Sequence, residues 1–172
     1  MKHTTALLFA SMLLTALPTI AAAAPDTLEI ELTLADIQGG QYHRPYTAVW
    51  VENANGEPVK TIALWLQHDG EKWFKDVRRW WRKSGRDNPA LIDAVSGATR
   101  PAGLYRLSWD QTGDDGKPLS AGDYELFIEV VREKGNRELI RAPLTLPLAP
   151  FERELAATSE TAATVLRVSD TQ

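Results

Sequence analysis

The residues best placed to do chemistry lie in Asp93-Ala94-Val95-Ser96-Gly97-Ala98-Thr99, which sets two hydroxyls and a carboxylate on a stretch with little side-chain bulk. A threonine hydroxyl is a weak nucleophile that becomes useful when it is accessible and activated. Ser96 and Thr99 carry the hydroxyls and Asp93 the carboxylate, and Gly97 and Ala98 add little bulk between them. The competing reading is a Ser-Gly turn leading into a strand, with Asp93 as a local cap.

A second group precedes it. Trp80-Trp81 stands among Arg78, Arg79, Arg82 and Lys83; tryptophan can stack on a planar ring and arginine can hold a phosphate. Trp73, Val77, Trp80, Trp81 and Ser84 also recur at helical spacing, which is the pattern of a buried helix face with Lys75, Asp76, Arg79 and Arg82 turned to water. Trp81, at the edge of that stripe, is the one expected to be free for a ligand.

Metal chemistry is poorly supported. His43 and His68 have no ligand spaced near them, and Asp110, Thr112 and Asp114 begin a calcium-loop spacing that Asp115 and Ala121 break where Gly and a bidentate Glu are needed. No Ser-His-Asp set, zinc motif or Gly-rich phosphate loop is visible in the sequence, which argues against an independent hydrolase.

The elements that must hold these residues are mostly strands. Leu28-Glu29-Ile30-Glu31-Leu32-Thr33-Leu34 alternates without a break, the period of a strand with one wet face. Residues 47–52 and 59–66 flank an Asn-, Gly- and Pro-containing turn and read as a hairpin. One helix is expected over residues 73–83, ended near Gly85. Residues 86–101 have neither period and contain Asn88-Pro89, Gly97 and Pro101, so they read as a long surface loop. Strands resume at 103–109, 123–132 and 138–146. Beyond Pro150 the Ala-, Thr-, Ser- and Glu-rich chain is expected to be a weakly ordered tail, with only 165–168 able to pair.

At the amino end, Lys2 and His3, an apolar stretch and the run Ala21 to Ala24 form the three parts of a signal peptide, with cleavage expected after Ala23. The apolar stretch is shorter than the ~20 residues that span a bilayer. Residues 1–23 are therefore excluded from the fold, leaving a domain over 24–150 and a tail over 151–172. The chain carries 19 basic and 23 acidic residues for a net charge of −4, which disfavours a general nucleic-acid binder. It has no cysteine, so disulfides, thiolate metal sites and a lipoprotein anchor are excluded.

Two short segments and the overall order of motifs resemble known families. Trp109-Asp110 through Gly116, Pro118-Leu119, Gly122 and Tyr124 resembles the turn signature of bacterial immunoglobulin-like modules such as that of the flagellar hook-capping protein, which implies a mainly β, immunoglobulin-like antiparallel sandwich with one inserted helix. Residues 93–99 resemble the sequence at which an FAD:protein FMN transferase attaches FMN to the final Thr. That likeness implies Thr99 as the acceptor, Gly97 and Ala98 as the unhindered approach to it, Asp93 as a carboxylate that the transferase recognises or that orients the site, and Ser96 as a hydrogen-bonding neighbour; Trp81, from its residue type and position, is the candidate to stack on the flavin. In their order, Tyr46 to Glu52, Val59-Lys60-Thr61, Leu64-Trp65, Trp80-Trp81-Arg82, Asp93 to Arg100 and Trp109 to Tyr124 resemble a family of predicted periplasmic proteins, domain of unknown function 2271. This resemblance implies association with flavin transferases and PepSY-type membrane reductases, and extracytoplasmic electron transfer. A cofactor-free binding or assembly module that docks a membrane partner is the alternative.

Overall fold

The computed structural model describes residues 27–38, 41–67 and 75–169. The signal peptide, Trp73 and His68 lie outside the described residues.

Among the described residues, nine strands form two sheets that face each other. The first has the order β5-β1-β9-β8, built from β1 (Leu28–Leu34), β5 (Gly103–Trp109), β8 (Phe151–Leu155) and β9 (Thr164–Val168); the second has the order β4-β3-β2-β6-β7, built from β2 (Tyr46–Asn53), β3 (Pro58–Leu66), β4 (Ser96–Ala98), β6 (Gly122–Val131) and β7 (Arg137–Leu146). All these pairings are antiparallel except β3 with the short edge strand β4. The expected β-sandwich is therefore the architecture of the molecule.

Side-chain alternation explains where the core sits. Leu28, Ile30, Leu32 and Leu34 of β1 meet Val49, Val51, Leu126, Ile128 and Val130 between the sheets, with Trp65 and Trp109 in the same cluster. The opposite face of the second sheet carries Ala48, Trp50, Leu64, Leu66 and Phe127, which pack against Val77 and Trp80 of the helical segment. Strand β2 is thus buried on both faces. Trp50, Trp65 and Trp109 are all core residues.

Three sequence expectations need correction. The single helix over 73–83 is, within the described residues, a short α1 (Arg78–Trp80) that widens into a π turn (Trp81–Gly85). Gly85 permits that close turn, since a Cβ there would come within 2.6 Å of the Trp80 ring and 2.8 Å of the Trp81 ring. Arg79 does not turn wholly to water. Its guanidinium folds onto the sheet, bonds Glu52 and lies 4.2 Å from the Phe127 ring centroid.

The stretch 86–101 is no loop either. It contains α2 (Pro89–Val95) followed directly by β4. Asn88 accepts a hydrogen bond from the Leu91 N–H at 3.0 Å and Pro89 opens the first turn, so the Asn-Pro pair starts a helix instead of breaking one. Leu91, Ile92 and Val95 then pack on the outer cluster.

The third correction concerns residues 151–169, expected to be a weakly ordered tail. They supply β8 and β9, and β9 lies between β1 and β8. Leu166 and Val168 enter the core. The composition is polar because β9 buries only alternate residues and the edge strand β8 keeps Glu152, Arg153 and Glu154 exposed.

Candidate functional site

Residues 93–99 run from the end of α2 into the edge of the second sheet. Asp93 and Ala94 are exposed on the last turn of α2, and Ser96 closes it with an extended backbone whose N–H bonds the Ile92 carbonyl. Ser96, Gly97 and Ala98 then pair with Leu64, Trp65 and Leu66. The Thr99 N–H adds one more bond, 3.1 Å to the Leu66 carbonyl. The motif is consequently an ordered edge strand, and the Ser-Gly turn is not formed.

Little in the local fold requires these residue types. A Cβ at Gly97 would meet the Trp65 ring at 3.6 Å and the Leu64 carbonyl at 3.9 Å, ordinary contacts, and its φ is not positive. Among the described residues, the side chains of Asp93, Ser96 and Thr99 make no hydrogen bond or ion pair with a protein partner.

Thr99, half-buried, opens into a cleft of about 220 Å³ whose walls include Tyr42, His43, Arg44, Tyr46 and Glu133. His43 Nδ1 lies 3.4 Å from Glu133 Oε2, while its Nε2 is buried without a partner. The Tyr46 hydroxyl donates to Gln67 Oε1 at 3.2 Å. Burial raises the Tyr46 hydroxyl above its ordinary pKa and the Glu133 and Asp76 carboxylates push it the same way. Burial also raises Tyr42, against the opposing pull of Arg132. Both phenols stay protonated at neutral pH, the Tyr46 proton being the one donated to Gln67.

Beside the cleft runs a more open, predominantly apolar groove of about 670 Å³, bounded by Leu34, Tyr42, Pro101, Ala102, Gly103 and Ala162. Tyr42 lines both spaces. The segment between them is held in place: the Arg100 guanidinium lies 5.6 Å from the Trp65 ring centroid, and the Tyr105 hydroxyl donates to the Pro101 carbonyl at 2.8 Å.

The amino-acid sequence matches the model of a predicted periplasmic protein family (DUF2271) over residues 27–163. The chain belongs to that family. It is a periplasmic protein, and among its described residues no helix is long and apolar enough to cross a membrane. No curated protein and no solved structure matches it. The family's span takes in the whole second sheet, strands β1, β5 and β8 of the first and all of residues 93–99, and it stops just short of β9.

The other sequence candidates are placed elsewhere. Trp81 is half-buried and packs against the outer cluster beside Trp80, and it is not among the cleft residues. Asp110 bonds the Thr112 N–H and hydroxyl, Asp114 accepts from the Thr61 N–H, and Asp115 accepts from the Lys117 N–H. These carboxylates hold a turn between strands, with Gly116 and Gly122 at positive φ. Tyr42, His43 and Arg44 escape sequence reasoning as neighbours of Thr99 because they precede β2 in the chain, far from the motif. The pairings of β2 with β3 and of β3 with β4 together bring Thr99 to them.

Proposed function

We propose that this periplasmic protein carries FMN covalently on Thr99 and passes electrons between a membrane reductase of the PepSY type and an extracytoplasmic acceptor. The observation that carries the reading is the idleness of the motif in the fold. Gly97 sits where a larger residue fits, and the Asp93, Ser96 and Thr99 side chains have no protein partner among the described residues. Residue types that the local packing does not demand are explained by recognition from outside.

An FAD:protein FMN transferase is the partner that this reading requires. Thr99 Oγ bonds to the phosphorus on the FMN side of FAD, the pyrophosphate bond breaks, AMP leaves, and the hydroxyl proton passes to a base or to solvent. No electrons change hands in that step. The edge position of β4 suits such a partner, because an unpaired strand edge offers backbone groups for β-strand addition. Asp93, exposed one helical turn before Ser96, supplies the carboxylate to be recognised.

The surroundings of Thr99 fit a phosphoester. Arg44 contributes a guanidinium to the cleft wall and Tyr42 a protonated hydroxyl, groups that bind phosphate oxygens, while the Glu133 carboxylate on the same wall lies 3.4 Å from His43 Nδ1. FMN, once attached, supplies reversible hydride and electron chemistry. Tethering keeps it at high local concentration in a compartment from which free flavin diffuses away. The chain's own residues orient the phosphate and set how far the flavin is exposed.

Co-expression with such a transferase tests the reading. Purified protein should be yellow and keep its colour after denaturation and gel filtration in urea. Colourless protein, or colour lost on denaturation, would favour the cofactor-free docking module instead.

A further inference from the structure

The cleft at Thr99 and the groove beside it differ in a way that assigns them different parts of one ligand. A cleft of about 220 Å³ is below the ~300–1,000 Å³ of typical small-molecule sites, whereas the groove of about 670 Å³ falls inside that range. The first is walled by charged and hydroxyl groups, the second mostly by carbon. A phosphate suits the first and a flat apolar ring suits the second.

We infer that the isoalloxazine ring of FMN on Thr99 rests in the groove between Pro101–Gly103 and Ala162, with the Tyr42 ring beside it; this rests on the reading of Thr99 as the acceptor. The route between the two spaces is short. Thr99 and Pro101 are two residues apart, at most about 7 Å of extended chain, and the phosphoribityl chain of FMN spans at least that distance. Tyr42 lines both spaces and so marks where they join. The groove floor is firm, since Leu34 is 1% exposed and pairs with Gly103 in the β1–β5 ladder. The Tyr105 hydroxyl bond to the Pro101 carbonyl fixes the near wall. Ala162, exposed, is bonded through its N–H to the Thr33 carbonyl and fixes the far one.

A seated ring stacks, loses fluorescence to the tyrosine and tumbles with the protein. The test compares the parent, Tyr42→Ala and Ala162→Ile, each co-expressed with the transferase, with flavin fluorescence intensity and anisotropy normalised to the FMN mass increment. Ala162→Ile narrows the groove from a residue whose side chain is already exposed, and it keeps the experiment decisive if Tyr42→Ala folds poorly. The parent should be strongly quenched and polarised relative to the flavinylated loop peptide released by protease. Both variants should lose quenching and anisotropy. A parent whose flavin is as bright and depolarised as the free peptide, or variants indistinguishable from the parent, would overturn the ring seat while leaving attachment standing. Absence of the mass increment on the parent would overturn both.

Discussion

Arg79 and Glu52 join the helical layer to the second sheet: Arg79 Nη2 lies 2.6 Å from Glu52 Oε2 and Nε lies 3.1 Å from Oε1. The two members are unequally buried, with 1% of the Glu52 side chain exposed against 24% for Arg79. Glu52 Oε1 also receives the Trp50 indole N–H at 2.9 Å. Next to this pair, Glu129, also buried, accepts from the N–H groups of Arg79 and Trp80 and from Arg137. The two carboxylates anchor α1, and α1 leads through the π turn and α2 to β4 and Thr99.

That asymmetry gives an ordered pair of stability losses. Arg79→Leu strands a buried carboxylate and should cost about 3–5 kcal/mol, the range for breaking a buried ion pair from one side. Glu52→Gln leaves the partly exposed Arg79 able to reach water and should cost clearly less. Urea unfolding of the two variants and of the double variant decides. Equal losses in the single variants would contradict the geometry.

Deleting residues 151–172 should remove cooperative folding. The deletion takes away β9, which lies between β1 and β8, together with Leu166 and Val168 of the core. It also removes Glu160, whose carboxylate binds Arg132 at 2.8 and 3.1 Å and the Asn136 N–H at 2.9 Å. A truncated chain with the parent's sharp thermal transition would show that these strands are dispensable.

The acid side of the stability profile carries opposing contributions from one turn. Burial raises the Asp114 carboxyl above the ordinary 3.8, although the Thr61 N–H bond pulls the other way. The folded state therefore binds that proton more readily than the unfolded chain, and its stabilising effect is lost as pH rises from about 3.8 through the raised value. Asp110 behaves oppositely, held low first by the Thr112 hydroxyl. Its contribution is present above 3.8 and lost as pH falls through the lowered value. Asp114→Asn keeps an oxygen for the Thr61 N–H and removes the opposing titration. Chemical unfolding across the acid range should then show a steeper loss of stability with falling pH than in the parent. An unchanged slope would contradict the assignment.

The sequence disclosed the strands whose inward faces alternate and whose turns carry Asn, Gly or Pro. β1 reads correctly because Leu28, Ile30, Leu32 and Leu34 all enter the core. The β2–β3 hairpin reads correctly because Asn53 Oδ1 accepts from the Asn55 and Glu57 N–H groups and Gly56 takes φ 72°. The hidden elements depend on partners distant in the chain. Asn88-Pro89 can break a helix or start one, and Leu91, Ile92 and Val95 reveal a helix only once the outer cluster exists for them to cover. Residues 164–168 have a strand pattern too short to stand alone, and β1 supplies the partner. Within the candidate site, Thr99 and its motif were legible as residue types, while Tyr42, His43 and Arg44 were not.

The central claim rests on one oxygen, and mass spectrometry of the peptide that contains Thr99 tests it most directly. After co-expression with an active FAD:protein FMN transferase, the parent peptide should carry one FMN on Thr99. Thr99→Ala should lose the increment entirely with little change in stability, because among the described residues the hydroxyl has no protein partner. Asp93→Asn should lower the modified fraction more than Ser96→Ala. An unmodified parent peptide in the presence of active transferase and FAD, or an increment that persists in Thr99→Ala, would contradict the account.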